Sequence, residues 1–413
     1  METIYLGIVI FLFVLAIFDL WVGVSNDAVN FLNSAIGSKA AKFRTIVIIA
    51  AIGVFCGAVM SDGMMDIARH GVFRPEMFYF KEIMYILLAV MVTDIVLLDV
   101  FNTLGMPTST TVSMVFELLG ATFALTFFKM LDSAAAGLSY GDFMNTDKAL
   151  QMIVAIFLSV AIAFVFGTLV QYLARIVFTF NYRSRLRWKI GIFGGLAVTS
   201  IVYFMLFKGM KHLSFMTPEV LDYVNNNVLL LLGGCFVVFT ILMQILHFLK
   251  VNVLRIVVLI GTFALATAFA GNDLVNFIGV PLAGLSSYGY WAESGFADPT
   301  QFTMEQLNGP ADTHPIFLYV AGFIMVFALA TSKKAHNVVK TSISLSSKDE
   351  GEEMFGSSRV ARSLVRWGNS VGETMTRITP AKVRHYIDSR FQAPTEQEEV
   401  EGATFDLVRA SIN

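Results

Sequence analysis

The sequence predicts an all-α polytopic membrane protein that contains inverted repeats, with broken helices at the membrane midplane. Three observations support this fold class. The 413 residues are 56% hydrophobic and 15% charged, with a mean hydropathy of +0.69, which a soluble domain could not expose to water. Nine apolar segments near the spanning length of about 20 residues follow one another. The polar pattern Asn-Asp-x-Val-Asn-Phe also occurs twice within apolar sequence, at 26–31 and 272–277.

The loops that join the predicted membrane spans differ in their positive charge. Loop 175–189 contains five Lys and Arg residues, whereas loop 284–315 contains none. Positive charge in short loops favours the cytoplasmic side, so the N-terminus is expected on the outer side of the membrane. The protein is expected to cross the cytoplasmic (inner) membrane several times, in contact with its lipid. The first span follows Met1 without a small-residue cleavage pattern and is interpreted as a retained helix. The predicted spans are 4–24, 43–63, 83–104, 110–130, 149–174, 190–207, 224–248, 254–271 and 316–332.

The two copies of the pattern are separated by an odd number of predicted spans, so they enter the bilayer from opposite sides. Inverted repeats of this kind are typical of secondary transporters. The chain is therefore divided into a first membrane repeat at 1–248 and the start of a second, inverted repeat at 249–332. Residues 333–404 are polar and are expected to form a cytoplasmic loop or soluble insertion, in which 382–391 forms either a membrane-surface helix or a solvated one. Residues 405–413 resume an apolar pattern and are interpreted as the start of a truncated span.

Both copies place a carboxylate and amides where hydrocarbon is expected. An ionised Asp near the centre of a membrane helix costs roughly 2.5–3.5 kcal/mol, so accidental duplication is improbable. Because Asn and Asp are poor helix formers, each pair is expected to interrupt its helix near the midplane. The freed carbonyls and side-chain oxygens would form a hard oxygen site suited to Na⁺. The alternative is that the amides only cross-link helices. The candidate residues are Asn26, Asp27, Asn30, Asn272, Asp273 and Asn276.

A second constellation, Gly-Met-Pro-Thr-Ser-Thr-Thr at 105–111, lies between two apolar runs. Pro and hydroxyl residues mark a helix start, and a helix N-terminus favours an anion through its unpaired N–H groups and dipole. Ser109, Thr110 and Thr111 add donors that could surround a tetrahedral oxyanion. The alternative is an ordinary N-cap with a hydroxyl-rich first turn.

Several functional classes lack support. No nucleophile–base pair, phosphate-binding loop, dinucleotide fingerprint or metal-ligand spacing indicates an enzyme or a cofactor, and nothing indicates nucleic-acid binding. Cys56 and Cys235 lie in apolar runs, so no disulfide framework is expected. Five further intramembrane acids could line an ion path or contact a neighbouring helix: Asp19, Asp62, Asp94, Asp99 and Glu117.

The motifs resemble those of a known family. Gly-Val-Ser-Asn-Asp-Ala-Val-Asn at 23–30 and Ala-Gly-Asn-Asp-Leu-Val-Asn at 270–276 are similar to the duplicated Gly-Ala-Asn-Asp-x-x-Asn signature of the inorganic phosphate transporters of the PiT type. Pro-Thr-Ser-Thr-Thr-Val at 107–112 resembles the family's Pro-Val-Ser-Thr-Thr-His. The resemblance implies symport of inorganic phosphate with Na⁺ or H⁺. It assigns Ser109, Thr110 and Thr111 to phosphate, with Asp27 and Asp273, and assigns the Asn-Asp cluster to a central cation–anion site that holds Na⁺.

Two departures from the family pattern qualify this expectation. Val112 replaces the family's His, and no second Pro-x-Ser-Thr-Thr motif occurs before Asn413. The chain is therefore expected to be a truncated version of a longer transporter with weak or absent transport. A sulfate permease of the same family and a phosphate-sensing membrane receptor are the alternatives, and the sequence leaves homo-oligomer formation open.

Overall fold

The computed structural model describes residues 2–61, 69, 71–131, 137–183, 186–205, 218–309, 313–346, 358–392 and 402–413. The described residues form fifteen α-helices, two short 3₁₀ turns and no β-strand, which confirms the all-α fold class. The helices are α1 Glu2–Gly37, α2 Phe43–Val59, α3 Phe80–Thr103, α4 Thr110–Met130, α5 Tyr140–Phe143, α6 Thr146–Phe178, α7 Lys189–Phe204, α8 Pro218–Asn226, α9 Val228–Phe248, α10 Val253–Glu293, α11 Pro315–Thr331, α12 Lys333–Leu345, α13 Arg359–Ile378, α14 Ala381–Arg390 and α15 Leu407–Ile412.

Six of the described helices are long and apolar enough to cross a membrane, namely α1, α3, α4, α6, α9 and α10. The bent pair α11–α12 adds a seventh candidate span, while α2 and α7 are apolar but shorter, at 17 and 16 residues. All nine predicted apolar segments therefore contain helix. The structure extends the first and eighth segments, because α1 has 36 residues and α10 has 41.

The two longest helices, α1 and α10, pack against each other at the centre of the fold. Each also packs against the helix that follows the other one, α1 against α11 and α10 against α2. Glycine permits the closest of these approaches: a Cβ at Gly57 of α2 would overlap the carbonyl oxygen of Thr267 and lie 2.9 Å from the nitrogen of Gly271. The reciprocal pairing is what an inverted repeat would produce, and the repeat itself stays a prediction.

The prediction that the Asn-Asp pairs interrupt their helices is wrong. Helices α1 and α10 continue through both pairs. Asn26 and Asp273 direct their side chains to groups on other helices, so they do not compete for the hydrogen bonds of their own backbone. The described chain instead breaks at Ser332, where α11 and α12 meet at 67°. Ser332 caps α12 by accepting a hydrogen bond from the Ala335 N–H at 3.3 Å.

In its described parts, 333–346, 358–392 and 402–404, the polar segment is largely helical and partly packed against the apolar core. Val338 and Val339 of α12 are buried, and α12 packs against α1 and α3. Arg390, in the last turn of α14, donates to the carbonyl oxygens of Ile176 and Val177 at 2.7 and 3.0 Å. The helix predicted at 382–391 is therefore docked on the end of α6. The cytoplasmic placement of the segment stays a prediction.

Candidate functional site

The first Asn-Asp pair is joined to the turn between α3 and α4 through Asn26. Its amide donates to the Oδ1 of Asn102 at 2.7 Å and to the carbonyl oxygen of Met106 at 3.2 Å. Its own Oδ1 accepts from the N–H of Thr108 at 2.8 Å. Asn102 in turn donates to the carbonyl oxygen of Val22 at 2.8 Å. Asn26 is fully buried, so these bonds hold the turn in one position against α1.

Local sequence explains the sharp reversal of the chain in this turn. Gly105 has a φ of +67° just after the end of α3, the left-handed conformation that glycine supplies at a helix C-terminus. A Cβ there would also lie 3.0 Å from the Oγ1 of Thr341 in α12. Pro107 prevents a direct helical continuation, and Ser109 caps α4 by accepting from the Val112 N–H at 3.3 Å. The N-terminus of α4 is thereby placed beside the middle of α1.

The second Asn-Asp pair meets the same helix N-terminus from the other side. Thr111 donates to the Oδ1 of Asp273 at 3.0 Å. Asn276 donates to the Oγ1 atoms of Thr110 and Thr111 at 3.2 and 3.0 Å and to Asp273 at 3.2 Å. Asp27 lies within hydrogen-bond reach of Thr110. The first turn of α4 therefore connects the two halves of the protein, although their motifs are about 246 residues apart in sequence.

Three of the predicted site residues do not join this network. Asn30 and Asn272 are exposed and form no side-chain hydrogen bond with any described residue. Ser109 is exposed and acts as the N-cap of α4. A functional role for these three side chains stays a prediction.

The network concentrates negative charge away from water. Asp27 and Asp273 are 4% and 8% exposed, and neither forms an ion pair with Lys or Arg in the described part of the chain. The Oδ1 of Asn276 is buried and has no hydrogen-bond partner there. Two buried carboxylates beside an unused amide oxygen form an environment that favours a small cation with oxygen ligands.

The other acids predicted within the membrane fall into different environments. Asp99 pairs with Lys334 of α12 at 2.5 Å, and Asp62 lies outside the described residues. Asp94 and Glu117 contact Ser113, and Asp19 lies beside Asp94, in a second group next to the Asn-Asp network. Sequence reasoning did not single out Ser113, although it lies one helical turn before Glu117 and could have been found from that spacing.

Buried ionisable residues within membrane-spanning helices mark the path of an ion or a substrate, so this all-helical fold with a polar centre is that of a membrane transport protein. The chain belongs to the phosphate transporter family, whose model (PHO4) matches residues 23–344.

One solved structure, described as "The sodium-dependent phosphate transporter", resembles this chain with a TM-score of 0.55. The two sequences are 18% identical, and the likeness covers 82% of this chain and 78% of that one. At this identity the resemblance shows a shared fold. No curated protein matches the chain.

Proposed function

We propose that this protein carries inorganic phosphate across the cytoplasmic membrane in symport with Na⁺, as a transporter without enzymatic activity. The observation that carries the proposal is the contact network of Thr110 and Thr111 with Asp27, Asp273 and Asn276. This network brings groups suited to an anion and groups suited to a cation to one place, where Thr111 is exposed and the other members are buried. Membership of the phosphate transporter family and the fold shared with a sodium-dependent transporter support the same assignment.

The anion half of the proposed site is the N-terminus of α4. The first N–H groups of a helix lack intrahelical partners and carry about half a unit of positive charge. At the same end the Ser109 hydroxyl donates to no described residue and is free to donate to the anion. Thr111 and Thr110 donate to Asp273 and Asp27 in this structure and would turn to the anion once Na⁺ occupies those carboxylates. Phosphate bound there would receive neutral donors, which avoids burying a Lys or Arg that would hold the anion too tightly for release.

The cation half of the proposed site is the pair of carboxylates, Asp27 and Asp273. A Na⁺ ion near them would offset their mutual repulsion, with the unpartnered Oδ1 of Asn276 as a further hard oxygen ligand. Asn26 acts indirectly, because its bonds hold the turn that carries the hydroxyl groups. Asn30 and Asn272 would join only if their side chains turn towards the ions.

Coupling follows from charge neutralisation. Phosphate is anionic at neutral pH and would not enter a low-dielectric centre that already holds two carboxylates. Bound Na⁺ reduces this cost, and each positive charge entering the cell gains about 2.3 kcal/mol per 100 mV of membrane potential. Entry of Na⁺ down its gradient, coupled in this way to entry of the anion, therefore drives uptake against a phosphate gradient, and the membrane potential contributes according to the net charge that crosses.

The membrane orientation that accompanies this proposal has the N-terminus outside. Helices α1 and α10 would then belong to two halves of opposite orientation, and exchange of their conformations would open the central site to each side in turn. Phosphate is favoured over sulfate because protonated phosphate can donate a hydrogen bond to Asp27 or Asp273, whereas fully ionised sulfate cannot.

The test is uptake of radiolabelled phosphate into proteoliposomes that contain the chain or, in parallel, any longer natural form of it, with an inward gradient of Na⁺ or of K⁺. Asp273→Asn is compared with Asp298→Asn, a matched change in an exposed loop. Na⁺-dependent uptake should fall roughly tenfold or more in Asp273→Asn, equivalent to about 1.4 kcal/mol, and should persist in Asp298→Asn. Excess unlabelled sulfate should compete weakly.

Other outcomes would redirect the assignment. Strong competition by sulfate would indicate a sulfate permease. Phosphate binding without Na⁺-dependent uptake in any form would favour a receptor. Uptake driven equally by Na⁺ and K⁺ gradients, and abolished by a protonophore, would replace Na⁺ with H⁺ as the coupling ion.

A further inference from the structure

A second polar cluster lies on α1, α3 and α4, one helical turn of α4 beyond the proposed phosphate site. It consists of Asp19, Asp94, Ser113 and Glu117. Asp19 precedes Asp27 by eight residues on the same helix, a separation of about 12 Å along its axis. Asp19 and Asp94 are 0% and 1% exposed. Burial of such acids is costly unless they are hydrogen-bonded, protonated or paired with a cation.

The hydroxyl group of Ser113 contacts two carboxyl groups at once. Its Oγ lies 2.6 Å from the Oδ1 of Asp94 and 2.8 Å from the Oε1 of Glu117. A hydroxyl has one proton and can donate only one of these hydrogen bonds. The other contact requires a proton on a carboxyl group, which then donates to the Ser113 oxygen. One carboxyl proton is therefore needed to satisfy this bridge.

Asp19 requires a second proton. Both of its carboxyl oxygens are buried and meet no hydrogen-bond donor among the described residues, yet Asp94 lies within hydrogen-bond reach. Two carboxyl groups can form a hydrogen bond only when one of them is protonated. The three acids with two protons would then carry a single net negative charge.

In the described part of the chain, the groups whose charge acts on Asp19 and Glu117 are all acids, so they do not supply a counterion. The charged residues of α5, α6 and α12, which also pack against the helices of the cluster, are not among these neighbours. On α1 the next acid is Asp27, and from α10 Asp273 acts on Asp27. The remaining acids described on α3, Glu82 and Asp99, have their own partners in Lys129 and Lys334. In the described part of α2 and α11, the apolar middle contains no Lys, Arg, Asp or Glu.

The spacing of the oxygens favours protons over a metal ion. Oxygen ligands lie about 2.3–2.6 Å from a hard cation such as Ca²⁺, so oxygens that share an ion are usually roughly 3 Å or more apart. The contacts of 2.6 and 2.8 Å at Ser113 are shorter and have the length of hydrogen bonds between oxygens. In the part of the chain that the structure describes, no three acidic, His or Cys groups are placed to hold a metal ion.

We propose that Asp19, Asp94 and Glu117, bridged by Ser113, form a proton-binding site that holds two protons and releases one when Na⁺ binds near Asp27. The second part of this proposal rests on the proposed function. Na⁺ at Asp27 removes a negative charge that acts on Asp19 and Asp94 through a low-dielectric medium. Ionisation of the cluster then becomes easier, so one carboxylic acid becomes a carboxylate and its proton passes to solvent. Asp27 is a charge neighbour of both Asp19 and Asp94, which makes this linkage direct.

The test is infrared difference spectroscopy of the purified full chain in lipid nanodiscs, with the C=O band of protonated carboxyl groups as the readout. Wild-type protein should show this band at neutral pH. Asp19→Asn, Asp94→Asn and Glu117→Gln should each reduce it, and Ser113→Ala should shift its frequency without removing a carboxyl group. Asp99→Asn, a matched change on α3 at a residue paired with lysine, should leave it unchanged. Absence of the band from folded wild-type protein at neutral pH would overturn the proposal, whatever the variants do.

The linkage to Na⁺ has its own measurement. Addition of NaCl, but not KCl, to weakly buffered wild-type protein should release about one proton per chain, the release expected when a single linked carboxyl group ionises, and reduce the band. In Asp27→Asn, where this negative charge is already absent, the band should be reduced to the level of the Na⁺-bound wild-type protein, and Na⁺ should have no further effect on it. If Na⁺ still removes the band in Asp27→Asn, the cluster itself binds Na⁺ and the proposal is wrong. If the protonated-carboxyl band is present but the protein takes up no phosphate, only the proposed transport function is rejected. If Na⁺ drives phosphate uptake but the band is absent, only the proton-binding site is rejected.

Discussion

Replacement of Asn26 by Ala tests whether the site is held together by this one side chain. Asn26 forms three hydrogen bonds to α3 and the following turn, at 2.7, 3.2 and 2.8 Å. Alanine removes all three and leaves the Asn102 Oδ1, the Met106 carbonyl oxygen and the Thr108 N–H without this partner. Since Asn26 is fully buried, water cannot readily take its place.

The expected cost follows from the value of hydrogen bonds between membrane helices. These average about 0.6 kcal/mol and reach about 1.7 kcal/mol, so three bonds give about 2 kcal/mol, with an upper bound near 5 kcal/mol. Asn33→Ala is the matched control, because Asn33 lies on the same helix and donates a single bond, to Ser342 at 3.0 Å. Its expected cost is only about 0.6 kcal/mol.

The assay is the apparent unfolding temperature in detergent, combined with phosphate uptake in proteoliposomes. Asn26→Ala should unfold at a clearly lower temperature than Asn33→Ala and should lose uptake, because the turn that carries the hydroxyl groups is no longer held against α1. Asn26→Asp should be at least as harmful, since it replaces the amide donor by an oxygen facing two acceptors. Equal unfolding temperatures for Asn26→Ala and Asn33→Ala would refute the reasoning.

Three further predictions concern other contacts. Gly57→Ala places a methyl group against the backbone of α10 and should destabilise the protein by about 1–3 kcal/mol, whereas Gly261→Ala, with nothing within 4 Å of its added carbon, should be neutral in the same thermal assay. Thr111→Val removes the hydroxyl that donates to the second motif's aspartate and should raise the KM for phosphate, while Thr111→Ser should retain uptake; equal uptake kinetics in both variants would contradict this role. Asp406→Asn removes the carboxylate that pairs at 2.6 Å with the buried side chain of Arg175 and should lower the unfolding temperature, an effect that should disappear in the background Arg175→Leu.

Much of the architecture could be predicted from the sequence because hydrocarbon imposes strong constraints on a membrane-spanning chain. Runs of apolar residues located helices in all nine expected places. The duplicated Asn-Asp pattern and the Ser-Thr-Thr run identified the residue types that meet at the centre, because polar groups in apolar sequence need partners. Pro107 and the hydroxyl residues after it correctly marked the start of α4 near Thr110.

Sequence patterns did not predict correctly whether the Asn-Asp pairs interrupt their helices. Intrinsic propensity favoured interruption, but partners on neighbouring helices satisfied Asn26 and Asp273 and left the backbone ladder intact. The bend at Ser332 had no strong local signal, since serine caps helices in many settings without such a change of direction.

What the sequence by itself determined is therefore the set of helices and the chemistry available to them. Only the tertiary structure decided which polar groups meet, that Thr111 donates to Asp273 across 162 positions and that Asp19 approaches Asp94 and Glu117. The physical reason is that contacts between helices depend on their rotation and crossing. Helices that are apolar on nearly every face contain little periodic information about either.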